Sequence, residues 1–287
     1  MGLTFYIMDV FAEEQYAGNQ LAVMRGTADL PDETLLKIAR EMNYSETAFI
    51  LSDEERDGGY DVRIFTPGGE VPFAGHPTLG TAFVIQHEIL PEPVENITLN
   101  LEAGKIPVEF GDILWMRQIP PTFGEEYNSV STAAALSLEV SDFDDRYPVQ
   151  RVSTGLPAII APLKSLAALK RCQVNRELYR ELAGARANLY VFCPEPHAAG
   201  GGDLSARMFT DDFGVSEDPA TGSAAGCLAA YLVRHRCLDT DSIDVRVEQG
   251  YEIQRPSMLY LRAAYDEDEI AISVGGKVWM VARGELV

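Results

Sequence analysis

Lysine is scarce in this 287-residue chain, which carries it only at positions 37, 105, 164, 170 and 277. Lysine and arginine together number 23 against 44 aspartates and glutamates, for a formal charge of −21. That shortage of positive charge argues against nucleic acid as a partner, because a phosphate backbone is bound through a basic footprint. It also repels small anions at long range, so an anionic ligand needs strong local donors, which screening beyond about 8–10 Å permits. Long apolar runs are missing as well. None approaches the roughly 18 residues of a spanning helix, and no basic and then apolar leader opens the chain. Tyr6 stands where a myristoylation motif wants Ser or Thr. A cytoplasmic protein without a membrane partner is expected. The four cysteines (Cys172, Cys193, Cys227, Cys237) form no C-x-x-C pair, so buried free thiols are expected in place of zinc or redox chemistry. His87, His197 and His235 are isolated and suggest no metal. No G-x-G-x-x-G follows a strand, no phosphate loop occurs, and Gly222 to Gly226 is not a G-x-S-x-G elbow. A reaction without cofactor is the economical expectation.

What is present is a duplication. Arg63-Ile64-Phe65-Thr66 precedes His76-Pro77-Thr78-Leu79-Gly80, and Arg207-Met208-Phe209-Thr210 precedes Asp218-Pro219-Ala220-Thr221-Gly222. Leu101-Glu102-Ala103-Gly104 answers to Val247-Glu248-Gln249-Gly250, and Ala48-Phe49-Ile50-Leu51 to Leu189-Tyr190-Val191-Phe192. The offsets are 144, 142, 146 and 141 residues. A unit of that size is a domain and not a short solenoid repeat. Two like domains are expected, 1–118 and 131–278, with 119–130 (Pro120-Pro121, Gly124) as linker. A pair of domains makes a cleft, where ligand sites preferentially form.

Strands are expected at Phe5 to Val10, Gln20 to Met24, Tyr44 to Leu51 and Asp61 to Phe65, with a helix after Pro31. The second half repeats that order near Ala158 to Ala161, Arg176 to Leu182, Asn188 to Cys193 and Ala206 to Thr210, with Gly200-Gly201-Gly202 in a loop. The segments Pro77 through Ile85 and Pro219 through Val233 read as helices that are apolar nearly all round, hence buried, each inside a curled sheet. Proline at the first helical position and Asp218 as N-cap would start them.

A helix start offers unpaired N–H groups and partial positive charge, suited to a carboxylate. Either Pro-Gly-small patterns merely begin buried helices, or the two starts, each with a titratable residue (His76, Asp218), form a site. The second copy favours the site. Glu46 has no acidic counterpart, since the 141-residue offset sets it against Ala187. The strand around it reads two ways. With Tyr44, Ala48 and Ile50 on its side, Glu46 is desolvated and its pKa rises toward proton-transfer range. With Ser45, Thr47, Phe49 and Leu51 inward, Glu46 faces water.

Asp9-Val10-Phe11, Gly18-Asn19-Gln20, Ser45-Glu46-Thr47, Gly75-His76-Pro77 and Asp218-Pro219-Ala220-Thr221-Gly222-Ser223 together resemble the PhzF-like (phenazine-biosynthesis isomerase) family, almost end to end. The resemblance implies a diaminopimelate-epimerase-like α+β fold, two pseudo-symmetric barrel-like domains each around a central helix, with a final strand, 279–287, returning to the first. It implies a cofactor-independent isomerase that moves a proton within a small carboxylate-bearing metabolite, as a homodimer. Glu46 would be the acid/base, with His76 and Asp218 as the other catalytic residues. Asn19, Ser45, Gly75, Gly222 and Ser223 would bind substrate. The related epimerases carry two cysteines where His76 and Asp218 stand, so thiol-based racemisation is disfavoured. An epimerase with other bases and a non-catalytic binding or scaffold protein are the rival expectations.

Overall fold

The computed structural model describes residues 2–183, 188–197, 201–210 and 217–287. The chain divides into two compact units, Met1–Arg117 with Gly275–Val287, and Gln118–Val274.

Unit 1 contains β1 (Leu3–Val10), β2 (Asn19–Arg25), α1 (Asp32–Met42), β3 (Glu46–Ile50), β4 (Tyr60–Thr66), β5 (Gly69–Val71) and α2 (Gly75–Val84). After α2 follow β6 (Asn96–Leu101), β7 (Gly104–Glu109) and β8 (Leu114–Arg117). Unit 2 begins with β9 (Thr122–Tyr127), α3 (Ser129–Leu136), β10 (Val149–Ser153) and β11 (Pro157–Pro162). It continues with α4 (Leu166–Arg171), α5 (Arg176–Ala183), β12 (Asn188–Cys193), β13 (Leu204–Phe209), β14 (Glu217–Asp218) and α6 (Gly222–Arg234). Then come β15 (Ser242–Gln249), β16 (Ser257–Asp266) and β17 (Glu269–Gly276), and β18 (Val278–Leu286) belongs to unit 1.

The strand ladders of the two units follow one plan. In unit 1, β1 pairs antiparallel with β2, β2 parallel with β3, and β3 antiparallel with β4. Strand β4 then pairs antiparallel with β5 and parallel with β6, which turns into β7. In unit 2, β10–β11, β11–β12, β12–β13, β13–β14, β13–β15 and β15–β16 repeat the same succession of directions. Each sheet curls round its own helix. Helix α2 packs against β1, β2, β3, β6, β7, β8 and β18, while α6 packs against β10, β11, β12, β15 and β16. Nine of ten residues in α2 and twelve of 13 in α6 are buried, so neither has a water-facing side. On the outer sheet faces lie separate apolar clusters. Leu35 of α1 clusters with Met24, Phe49 and Phe65 of the strands, and Tyr179 of α5 with Leu189, Val191 and Phe209.

Three differences from the sequence expectation stand out. Residues 119–130 hold no open linker. Thr122–Tyr127 is strand β9, hydrogen-bonded along β10, and α3 follows with Asn128 as its N-cap. The helix starts also move. Ala74 precedes α2, which puts His76 and Pro77 inside its first turn, whereas α6 begins only at Gly222 with Thr221 at the cap position. Asp218 is therefore not a cap. Its backbone is committed to the ladder with Met208, which keeps Asp218 and Pro219 out of the helix. Of the expected glycine loop, Gly200 lies outside the described residues. The terminal segment behaves as a full strand of unit 1, with β18 antiparallel to β1 from Leu3↔Leu286 to Val10↔Val278.

Candidate active site

In unit 1 three of the expected site residues meet. Asn19 opens β2, Glu46 opens the neighbouring β3, and His76 is the second residue of α2. Gly18 makes the entry possible. It sits at φ +69°, and a Cβ there would come within 2.3 Å of the Val10 carbonyl oxygen. Asn19 Nδ2 stands 3.3 Å from His76 Nδ1, and His76 Nε2 stands 3.5 Å from Glu46 Oε2. The imidazole thus spans the gap between an amide and a carboxylate. His76 is 3% exposed. Burial pushes its pKa from 6.5 down to about 3, against a smaller upward pull from the Gln20 backbone. The ring is neutral near pH 7, so its contact with Glu46 is not an ion pair. The Glu46 side chain is 20% exposed, which leaves it accessible beside the buried His76. Ser45 lies directly before β3, and Gly75 is the first residue of α2. Of the two readings of the Glu46 strand, the structure takes neither cleanly. Ala48, Thr47, Phe49 and Ile50 are all buried, because β3 is covered on both faces.

In unit 2 Asp218, Gly222 and Ser223 lie within one turn of the start of α6. Around them is a polar lattice that sequence reasoning missed. Thr221 Oγ1 donates to Asp218 Oδ2. Gln249 Nε2 donates to the Asp218 carbonyl at 2.8 Å and to Thr221 Oγ1 at 3.2 Å, while its Oε1 accepts from Tyr190 Oη (3.0 Å) and the Thr221 N–H (3.3 Å). On the other side Gln118 Nε2 donates to the Gly222 carbonyl at 2.9 Å, and Thr154 Oγ1 donates to Gln118 Oε1 at 2.6 Å. Gly226 makes room for Gln118, since a Cβ there would fall 1.8 Å from its Oε1. Tyr190, Thr221 and Gln249 all stand within the duplicated motifs, but no local pattern there marked them as neighbours of Asp218.

Strand registers refine the match between halves. The Arg-x-Phe motifs align Ile64 with Met208. Ala48 pairs with Ile64 and Tyr190 with Met208, so Ala48 and Tyr190 are equivalent. Two residues earlier, Glu46 matches Asn188. Ala187, its counterpart by sequence offset, lies outside the described residues. By the same frame Tyr60↔Leu99 matches Leu204↔Val247, which makes Leu101 the counterpart of Gln249. Thr221, three residues after Asp218, corresponds to Leu79, three after His76.

Cys227, on α6, is buried, and burial raises its pKa to about 11, which disfavours a thiolate. Among the described residues no group of three or more His, Cys, Asp or Glu is arranged to hold a metal ion. No helix among them is long and apolar enough to cross a membrane.

The two curled sheets on central helices define a protein of the diaminopimelate-epimerase-like class of α+β folds. A probable proline racemase of Agrobacterium radiobacter shares that fold alone, at TM-score 0.63 and 10% identity over 99% of this chain and 93% of its own. The Phenazine biosynthesis-like protein (PhzC-PhzF) family model matches residues 8–284. The chain belongs to that family, and it is an isomerase. A trans-2,3-dihydro-3-hydroxyanthranilate isomerase of Pseudomonas aeruginosa is 34% identical over 98% of each chain. The crystal structure of a PhzF-family phenazine biosynthesis protein of Bacillus anthracis superposes at TM-score 0.91, with 27% identity over 100% of this chain and 99% of that one.

Proposed function

We propose that this isomerase moves a proton between two carbon atoms of a small carboxylate-bearing metabolite, with Glu46 as the acid/base and no cofactor. The observation that carries the reading is the Glu46 carboxylate 3.5 Å from a buried, neutral His76. A carboxylate beside a neutral imidazole is not locked in an ion pair, so it can take a proton from carbon and return it elsewhere. The electron pair left behind is delocalised into the substrate's double bond, which shifts as the proton is restored at the second carbon. No atom is gained or lost. Positioned acid–base groups of this kind contribute on the order of 10²–10⁴ in rate.

His76, held against Asn19, orients Glu46 and the substrate. Asp218 is the second polar group offered to the substrate, with Ser45 and Gly75 lining Glu46 and His76. The N–H groups of Gly222 and Ser223, at the electropositive start of α6, receive the carboxylate. A cytoplasmic homodimer is the working form in this proposal.

The test begins with trans-2,3-dihydro-3-hydroxyanthranilate, the compound that names the Pseudomonas relative, followed by NMR in deuterated water. Turnover with deuterium arriving at the carbon that receives the proton is expected, and Glu46→Gln should lower it at least 100-fold. Unchanged turnover in that variant overturns the assignment. Exchange at an amino acid's α-carbon without movement of a double bond would favour the epimerase reading. The scaffold reading predicts no exchange with any ligand and full partner binding by Glu46→Ala.

A further inference from the structure

We propose that Tyr190, Gln249 and Thr221 form a hydrogen-bond relay of fixed direction that holds the Asp218 side chain as an oriented carboxylate. Thr221 and Gln249 are then positioning residues. Their importance to the reaction rests on the reading above that Asp218 contacts substrate.

The direction follows from what each atom can do. The Thr221 backbone N–H can only donate, and it meets one end of the Gln249 amide at 3.3 Å; the Asp218 carbonyl can only accept, and it meets the other end at 2.8 Å. These two backbone groups settle which end of the amide is oxygen. Gln249 Nε2 therefore donates its second hydrogen to Thr221 Oγ1, at 3.2 Å. Thr221 Oγ1 has one further partner among the described residues, Asp218 Oδ2, to which its own hydrogen must go. An oxygen that receives that hydrogen is an acceptor and not the atom that carries a proton, and such a bond favours the ionised form of the carboxyl. Tyr190 closes the far end. Deep burial raises its pKa, and the charge of Asp218 adds in the same sense, so its hydroxyl stays protonated and donates to Gln249 Oε1 at 3.0 Å. Tyr190 and Gln249 are 0% and 1% exposed, so water does not compete for these bonds.

The duplicated half supplies an independent observation. The positions equivalent to Tyr190, Thr221 and Gln249 are Ala48, Leu79 and Leu101, apolar and buried, and the residue equivalent to Asp218 is the neutral His76. The relay exists only where the helix start presents a carboxylate.

The experiment uses the whole protein with ¹³C-carboxyl aspartate, the Asp218 signal being assigned by its loss in Asp218→Asn. Thr221→Val removes the hydroxyl at nearly equal shape, and Thr221→Ser restores it. In Thr221→Val the Asp218 carboxyl should titrate at higher pH than in wild type, and kcat should fall about tenfold or more. Thr221→Ser should keep the wild-type titration and stay within about threefold in kcat. Gln249→Glu, which can no longer donate to Thr221, should shift the titration in the same direction. The double variant with Thr221→Val should cost no more than the worse single change, because both cut one chain. An unchanged Asp218 titration in Thr221→Val, or Thr221→Ser as impaired as Thr221→Val, overturns the relay. A shifted titration with unchanged turnover supports the relay and sinks Asp218's part in the proposed reaction, so the two failures are distinguishable.

Discussion

The same local design, a strand end leading into a buried helix, carries a neutral base in one unit and an acid in the other. At the start of α2, burial is the main influence that keeps His76 neutral, and the positions matching the polar residues of unit 2 are the apolar Ala48, Leu79 and Leu101. Before α6, Thr221 donates to the Asp218 carboxyl, Gln249 donates to Thr221, and Tyr190 donates to Gln249. An imidazole tolerates an apolar lining because it can become neutral, whereas a carboxylate kept ionised needs donors. Like backbones thus hold a neutral imidazole at one position and a hydrogen-bonded carboxyl at the matching one, and the neighbouring side chains differ accordingly.

The Arg-x-Phe motifs differ in a parallel way. Arg207 and Arg63 each clamp a glutamate of the adjoining strand with two bonds, Glu217 at 2.8 Å twice and Glu70 at 2.7 and 2.6 Å, and each guanidinium lies over a phenylalanine two residues on. In unit 2 both partners of the clamp are only 9% exposed, and Arg207 also donates to the carbonyls of Leu169 and Cys172 at 3.0 and 3.1 Å. Replacing Arg207 with Met leaves a buried carboxylate and two buried carbonyls without their donor. A loss of about 3–5 kcal/mol in urea unfolding is expected. A loss below about 1 kcal/mol would show that the buried clamp is no more consequential than a surface pair.

Titration of His76 sharpens the comparison next. Its pKa is about 3 in the folded protein against 6.5 for the unperturbed ring. Between those values the unfolded chain binds the proton and the folded one does not. The contribution to stability is therefore fully present above about pH 6.5 and is lost as pH falls toward 3. Its size is on the order of a few kcal/mol across that window. His76→Asn removes the titration, so its unfolding free energy should decline less between pH 7 and 4 than that of wild type. Subtracting the two curves cancels the carboxylates and His235, whose pKa is also lowered by burial. Parallel curves would mean that His76 is solvated and not neutral by burial.

How much of this was legible in the sequence follows physical range. The all-apolar character of α2 and α6 depends on composition over a dozen residues, and it specified two buried helices. Glu46 and His76, the pair on which the proposed reaction rests, were marked in the sequence by a resemblance spread over many short motifs, not by their own surroundings. The start of α6 was misplaced because proline and aspartate have local preferences that the ladder Met208↔Asp218 overrides. The stretch around Pro120-Pro121 read as a linker because its pairing partner, β10, lies some two dozen residues on. Tyr190, Thr221 and Gln249 were silent for the same reason. Their bonds join residues 28 and 59 positions apart, and no local pattern encodes such contacts. A one-residue shift in one duplicated strand was enough to set Glu46 against Ala187 in place of Asn188.

The smallest expected effect is at the other clamp. Arg63 bridges Glu70 and also Asp32 at 2.7 Å, as many ion pairs as Arg207 makes with Glu217 and, at 4.0 Å, with Glu252. Its side chain is 27% exposed, however, and those of Glu70 and Asp32 are 30% and 79% exposed. Water and salt can replace these partners at little cost, and exposed pairs are worth about 0–1 kcal/mol. Arg63→Met should therefore lower stability by no more than about 1 kcal/mol at physiological salt, with the deficit shrinking further as salt is raised. A loss equal to that of Arg207→Met would mean that burial is not what separates the two clamps. The stacking of each guanidinium on its phenylalanine, at 5.1 Å in unit 1 and 4.8 Å in unit 2, would then be the common cause to pursue.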